Sequence, residues 1–328
     1  MIAHSFAGRP ASRLRGTALA LLATGLAACG GDNLASGNPP DSTPPIDTTP
    51  PPPPVDTTPP IDTTPPPPPV DSAPPPTHVG IGLGPTQTPY QRYSREFSGS
   101  QQNGQPDSIM VVLDAARRAS ARITINFSGN QQWIRDENGF SITKWKQRVD
   151  RFRGKNIDSY IADGTLIGHL IMDEPSDPTN WNGKPVPQGL IEEMAKYSKD
   201  IWPNLTVIIR AWPDYLEGGN YPSLDATWIQ YHSRFGDLDN FIETRLHAAQ
   251  ELGLAVVGGV NAIRGGPGKT SMSPSELRSW GERILEEDIC LFLLFDYKED
   301  YFARADIQAA MEHLTDIARG LPKRDCKK

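Results

Sequence analysis

An α/β chain that closes into a (β/α)8, TIM-like barrel, with one strand degenerate or missing and a disordered proline-rich linker in front, is the fold this sequence predicts. Three observations lead there. Once the first 77 residues are set aside, about 250 remain, enough for one large single-core domain. The apolar runs in that domain are mostly continuous rather than alternating, as parallel strands covered on both faces require. Stretches of helical period separate them, and the number of such units over this length favours a closed barrel. A doubly wound open sheet is the rival. It is disfavoured because "GIGLGP" runs into "TQTPYQ" and not into a glycine-rich turn that opens a helix.

The strands expected in order are "VGIGLG" from Val79, "ARITINFSG" from Ala121, "LIGHLIMDEP" from Leu166, "LTVIIRAWP" from Leu205, "ATWIQYHS" from Ala226, "LAVVGGVNA" from Leu254 and "CLFLLFDY" from Cys290. Seven are legible; the eighth is degenerate or hidden in residues 155–165. Between them, Ile109, Val112, Leu113 and Ala116 share a helix face, as do Ile142, Trp145, Val149 and Phe152. Leu190, Ile191, Met194 and Tyr197 mark a third helix, and Leu238, Ile242, Leu246 and Ala249 a fourth. "SPSE" at Ser273 is a capping box with proline at the first helical position, so a fifth starts there. Ile307, Ala310, Met311, Leu314 and Ile317 form the last, stopped by Gly320.

The N-terminal part, 1–77, builds no core. Arg9, Arg13 and Arg15 precede a short apolar run, Ala18 to Ala28, which is too short to span a bilayer and reads as a secretory signal over 1–28. "LAAC", Leu26 to Cys29, resembles the lipobox of bacterial lipoproteins. That resemblance implies a lipidated Cys29 and a chain anchored to the cell envelope, at the outer membrane or cell surface, without spanning it. A plain cleaved signal with Cys29 incidental is the alternative. From 29 to 77 a linker follows in which a fifteen-residue proline-rich unit occurs twice, from Pro44 and from Pro59. Polyproline II at about 3.1 Å per residue gives its proline-dense part a reach of roughly 100 Å. The globular domain is then 78–328.

The net charge of −7, with no basic stripe, argues against nucleic acid as a partner. The six histidines are scattered, with no HxH, HExxH or CxxC, so no metal and no other cofactor is expected. Cys290 and Cys326 have the option of pairing in an oxidising compartment; a lone buried Cys290 at a strand start fits the pattern as well. The chain is expected to be a monomer.

In a barrel of this kind the loops after the strands form the active face, so polar residues at strand ends gain meaning. These are Asn126, Asp173, Glu174, Arg210, Tyr231, His232, Asn261 and Asp296, with Trp181 and Trp212 just past strands as ring platforms. Carboxylates, amides and indoles together suit a polyhydroxylated ligand, a poly- or oligosaccharide. Alternation along a regular strand sends Asp173 and Glu174 to opposite faces, so both reach the pocket only if the strand end is bulged or twisted. If one enters, Glu174 is expected. His169, within a strand, reads as a core histidine; Trp133, Trp145, Trp202 and Trp280 read as packing residues; Gly258 and Gly259 read as sites of close packing. "IRGGPGKTS" has the wrong spacing for a phosphate loop.

"DEP", residues 173–175, resembles the "NEP" that ends a strand in clan A glycoside hydrolases built on this barrel. The resemblance implies that Glu174 is the general acid/base and Asp173 its neighbour. Two departures stand out: an aspartate replaces the asparagine, and where the clan ends a later strand in a nucleophilic glutamate this chain offers Asp296. The expected activity is hydrolysis of O-glycosidic bonds by a carboxylate pair, in which one carboxyl keeps a proton and the other stays ionised. A non-catalytic glycan-binding surface lipoprotein is the alternative. On a purely structural reading, Asp173 caps a loop and Glu174 forms a plain ion pair with Arg210.

Overall fold

The computed structural model describes residues 80–94 and 96–328; the signal, Cys29, the linker, His78 and Val79 lie outside the described residues. Eight strands form one sheet: β1 (Gly82–Pro85), β2 (Gly99–Asn103), β3 (Arg122–Asn126), β4 (Leu166–Asp173), β5 (Thr206–Arg210), β6 (Ala226–Trp228), β7 (Ala255–Val260) and β8 (Ile289–Leu294). Each pairs in parallel with its neighbour from β2 through β8, and β8 pairs with β1. The remaining seam, β1 against β2, closes by backbone contact. A Cβ on Gly84 would lie 2.1 Å from the Gly99 carbonyl oxygen, so only glycine lets the two strands approach this closely. The described residues therefore form a (β/α)8 barrel.

The eighth strand corrects the expectation for 155–165, which holds a short helix, Asp158–Ala162, instead. It is β2, "GSQQN", and it was unreadable because strand recognition weighs apolar side chains, of which it has none. Its polar groups are satisfied locally. Ser100 donates to the Pro85 carbonyl at 2.7 Å, and Gln102 donates to the Thr88 carbonyl at 2.7 Å.

Six longer helices pack outside: α1 (Ile109–Arg118), α2 (Ile142–Asp150), α3 (Gln188–Ile201), α4 (Leu238–Glu251), α5 (Pro274–Leu285) and α6 (Ala305–Gly320). They begin where the sequence says. Ser273 and Glu276 form the reciprocal box that starts α5, and Asp237 accepts from the Asn240 amide at 2.9 Å to start α4. Among the described residues, a 3-10 turn, Tyr90–Arg92, is the only helical element between β1 and β2, and the short helix Pro213–Leu216 the only one between β5 and β6. Gly259 packs as expected: a Cβ there would meet the Leu293 carbonyl at 2.0 Å.

His169 points out of the barrel into the layer beneath α2 and α3. It stacks on Trp145 with ring centroids 5.8 Å apart, and its Nδ1 lies 2.9 Å from Ser198 Oγ. Burial pushes its pKa down to about 3, so it is neutral in the fold. The unfolded chain takes up this proton near 6.5 and the folded one does not, so stability falls as pH drops through the interval between the two values. His169→Phe is expected to flatten that acid dependence in denaturation curves measured across the interval.

The barrel interior holds Leu170, Ile208, Trp228, Val257 and Leu291, with Cys290 and Cys326 at its floor. The two cysteines are bonded, so the option of pairing is taken. The C-terminal tail seals this end: buried Arg122 donates to the Gly80 carbonyl at 2.9 Å and to the Arg324 carbonyl at 3.1 Å. The bond closes a 36-residue separation around α6, and its loss is expected to cost about 3 kcal/mol. Urea unfolding of the Cys290→Ala/Cys326→Ala double variant measures it.

Candidate active site

The site begins with an irregularity in β4. Against β5 the register steps from Leu170↔Ile208 to Met172↔Ile209, so β4 carries one extra residue before Asp173 comes opposite Arg210. The next residue, Glu174, takes the left-handed backbone conformation, φ 46°, while its amide donates to the Arg210 carbonyl at 2.9 Å. Bulge and turn together bring both carboxylates into the same hollow, the condition the sequence set for the pair to act together.

Arg210 holds them. One guanidinium nitrogen donates to Asp173 Oδ1 at 2.7 Å and the other to Glu174 Oε1 at 3.1 Å, and Asn180 donates to Glu174 Oε2 at 3.3 Å. The guanidinium, only 13% exposed, lies over the Trp228 and Phe295 rings at 5.0 and 5.3 Å. The ion pair of the structural reading thus exists, and it joins Arg210 to both acids. Burial raises the Asp173 pKa; Arg210 pulls it back and the Glu174 charge adds to the rise, leaving it above the ordinary carboxylate value.

Asp296, just beyond β8 and joined to Phe295 by a cis peptide, lines the same hollow and pairs with Lys298 at 2.9 Å. The cavity measures about 650 Å³, and nine of its twenty-two lining residues are asparagine or glutamine. Asn126 is one, though its amide mainly ties its own loop, accepting from Ser128 Oγ at 2.8 Å and the Gly129 amide at 2.9 Å. Asn261 follows β7; with its amide turned so that the nitrogen faces them, it donates to the Phe295 and Ile263 carbonyls. A smaller hollow of about 210 Å³ adjoins, lined among others by Trp212, His232 and Phe235. His232 Nδ1 accepts from the Arg234 amide at 3.0 Å, and burial, then Arg234 and Lys269, lower its pKa.

One expected ligand contact falls elsewhere, and another lines the larger hollow without an exposed ring. Tyr231 is buried in the apolar layer against Phe241 and Trp280, with its hydroxyl donating to the Gly236 carbonyl at 2.6 Å, so it packs and does not reach a ligand. Trp181 is fully buried and offers no ring face. Its indole nitrogen donates to the Glu174 carbonyl at 3.0 Å, which braces the turn that aims Glu174. Conversely, Trp133 is not internal: it is 37% exposed, with Arg148 stacked at 4.2 Å.

The sequence missed the amides of the first three strand ends, among them Gln87, Gln101, Asn103 and Gln132, along with Arg135 and Phe295. Their signal was there, as clusters of asparagine and glutamine at 101–103 and 130–132, but without β2 there was no strand end to attach the first to. Among the described residues, no group of three or more His, Cys, Asp or Glu side chains is placed to hold a metal ion.

No protein-family model matches this sequence, and no curated protein matches it. Solved structures do. An endocellulase of Pyrococcus horikoshii in complex with cellotetraose aligns at 11% identity and TM-score 0.46, covering 74% of this chain and 100% of that one. The catalytic domain of the major endoglucanase of Xanthomonas campestris aligns at 9% and 0.48, covering 74% and 95%. A glycoside hydrolase family 5 mannosidase of Rhizomucor miehei, in complex with mannosyl-fructose, aligns at 10% and 0.46, covering 71% and 87%. At these values the likeness carries no argument about activity, and the barrel rests on its own strand pairing.

Proposed function

We propose that the domain hydrolyses O-glycosidic bonds of a poly- or oligosaccharide, with the Asp173–Glu174 pair as acid and Asp296 as nucleophile or base. The observation that carries this reading is the gathering of Glu174, Asp173 and Asp296 around one amide-rich hollow at the carboxyl ends of the strands. The pair delivers a proton to the leaving glycosidic oxygen as the bond to the anomeric carbon breaks. Asp296 takes the proton of the attacking water, or attacks first and is released by it. Arg210 holds the ionised member of the pair, and the amides hold ring hydroxyls. Cys29, lipidated after signal removal, and the linker would present this barrel at the cell envelope as a monomer; the order of basic region, apolar run and "LAAC" supports that placement.

A second reading, glycan binding without cleavage, draws on two observations: Arg210 already occupies both acids, and β7 ends in an amide, Asn261. Incubation with neutral polysaccharides separates them. Reducing ends should accumulate; retention on the immobilised glycan with no reducing ends after long incubation would favour the binding reading instead.

A further inference from the structure

We propose that the ligand is an internal stretch of a neutral polysaccharide, laid across the ridge made by Glu174 and Arg210 with sugar rings on both sides. This rests on the carbohydrate reading above and narrows it. The mouth consists of two hollows, of about 650 and 210 Å³, and Glu174, Arg210 and Asn261 line both. A site built for chain ends is blind beyond its reacting groups; this one continues past them. Each hollow also has an exposed ring, Phe295 in the larger and Trp212 in the smaller, both 37% exposed.

Both rings are backed by a guanidinium on one side, Arg210 at 5.3 Å from Phe295 and Arg245 at 4.2 Å from Trp212. Phe235 also packs edge-on with Trp212, ring centroids 4.8 Å apart; such contacts fix a ring, and the surface left exposed is apolar, as the ring face of a pyranose requires. Among the described residues the exposed large apolar side chains are Val111, Trp133, Trp212 and Phe295, so two of the three exposed rings line the mouth. Charge selects the sugar. In the larger hollow Asp296 and the Asp173–Glu174 pair with its one proton stand against the guanidinium groups of Arg135 and Arg210, and in the smaller the two signs also balance, so neither hollow has a surplus cation. A polyuronate would bring negative charge to a mouth with no surplus cation to meet it, whereas a neutral chain would not.

The test is binding, which does not depend on turnover. The full chain carrying Glu174→Gln, or the unsubstituted chain on ice, is titrated with cello-, manno- and xylo-oligosaccharides from disaccharide to octasaccharide and with polygalacturonate. In one neutral series affinity should climb well past the disaccharide and survive blocking of both chain ends. Trp212→Ala should weaken the longest members about tenfold, and Trp212→Phe should restore them. Affinity that saturates at the disaccharide, or vanishes when the ends are blocked, overturns the internal-chain assignment and leaves the carbohydrate reading standing. Tighter binding of polygalacturonate than of any neutral chain overturns the neutral assignment. Binding of none of them overturns the inference and the carbohydrate reading together.

Discussion

Glu174→Gln should lower glycan turnover about a thousandfold, because the amide cannot deliver a proton to the leaving oxygen, a step for which general acids contribute roughly 10² to 10⁴. The fold should barely notice. Glutamine is isosteric; its oxygen can still accept from Arg210, and rotation of the Asn180 amide presents an oxygen to the new NH2 group in place of its donor. A stability change of about 1 kcal/mol is expected for the exchanged hydrogen bonds. Rates of reducing-end release and urea midpoints, measured on the same preparation, separate the two effects. Full turnover in this variant would pass the acid's role to Asp173, and Asp173→Asn would then be the variant that fails.

Arg210→Met is expected to damage both activity and fold. It removes the cation that bonds both acids and leaves Asp173 and Glu174 facing each other in the hollow. Breaking a buried pair costs about 3–5 kcal/mol, and because both acids are partly open to water the expected loss near neutral pH is about 2 kcal/mol. The pH dependence has a definite sign. Burial already raises the Asp173 pKa above its unfolded value, and without Arg210 it should rise further. The folded variant therefore binds a proton that the unfolded chain releases, and its stability should recover as pH falls and be lost as pH rises through the folded value. Denaturation of variant and parent across the acidic range checks this; a parallel pair of curves would show that Arg210 does not govern the pair.

Most of the barrel was legible because seven of its strands are apolar enough to declare themselves, and because Ser273 and Gly320 mark helix ends by chemistry that acts locally. β2 was not, since a polar strand at the closing seam is specified by glycine contacts with β1 that lie far off in sequence. The site divided along the same line. Asp173, Glu174, Arg210 and Asp296 sit at the ends of legible strands and were found. Tyr231 and Trp181 looked equivalent in sequence, yet their placement depends on what fills the space behind them: Phe241 and Trp280 for the first, the Glu174 carbonyl for the second. The bulge that admits both acids could be stated only as a condition, because it arises from the register between β4 and β5 and no residue type encodes it.

The most direct measurement is a crystal structure of the Glu174→Gln chain soaked with a neutral oligosaccharide. Residue 174 should lie within about 3.2 Å of a glycosidic oxygen, with Asp296 facing the adjoining anomeric carbon and rings in both hollows. A sugar bound away from this mouth, or one seated in it with Asp296 turned from the anomeric carbon, would contradict the account.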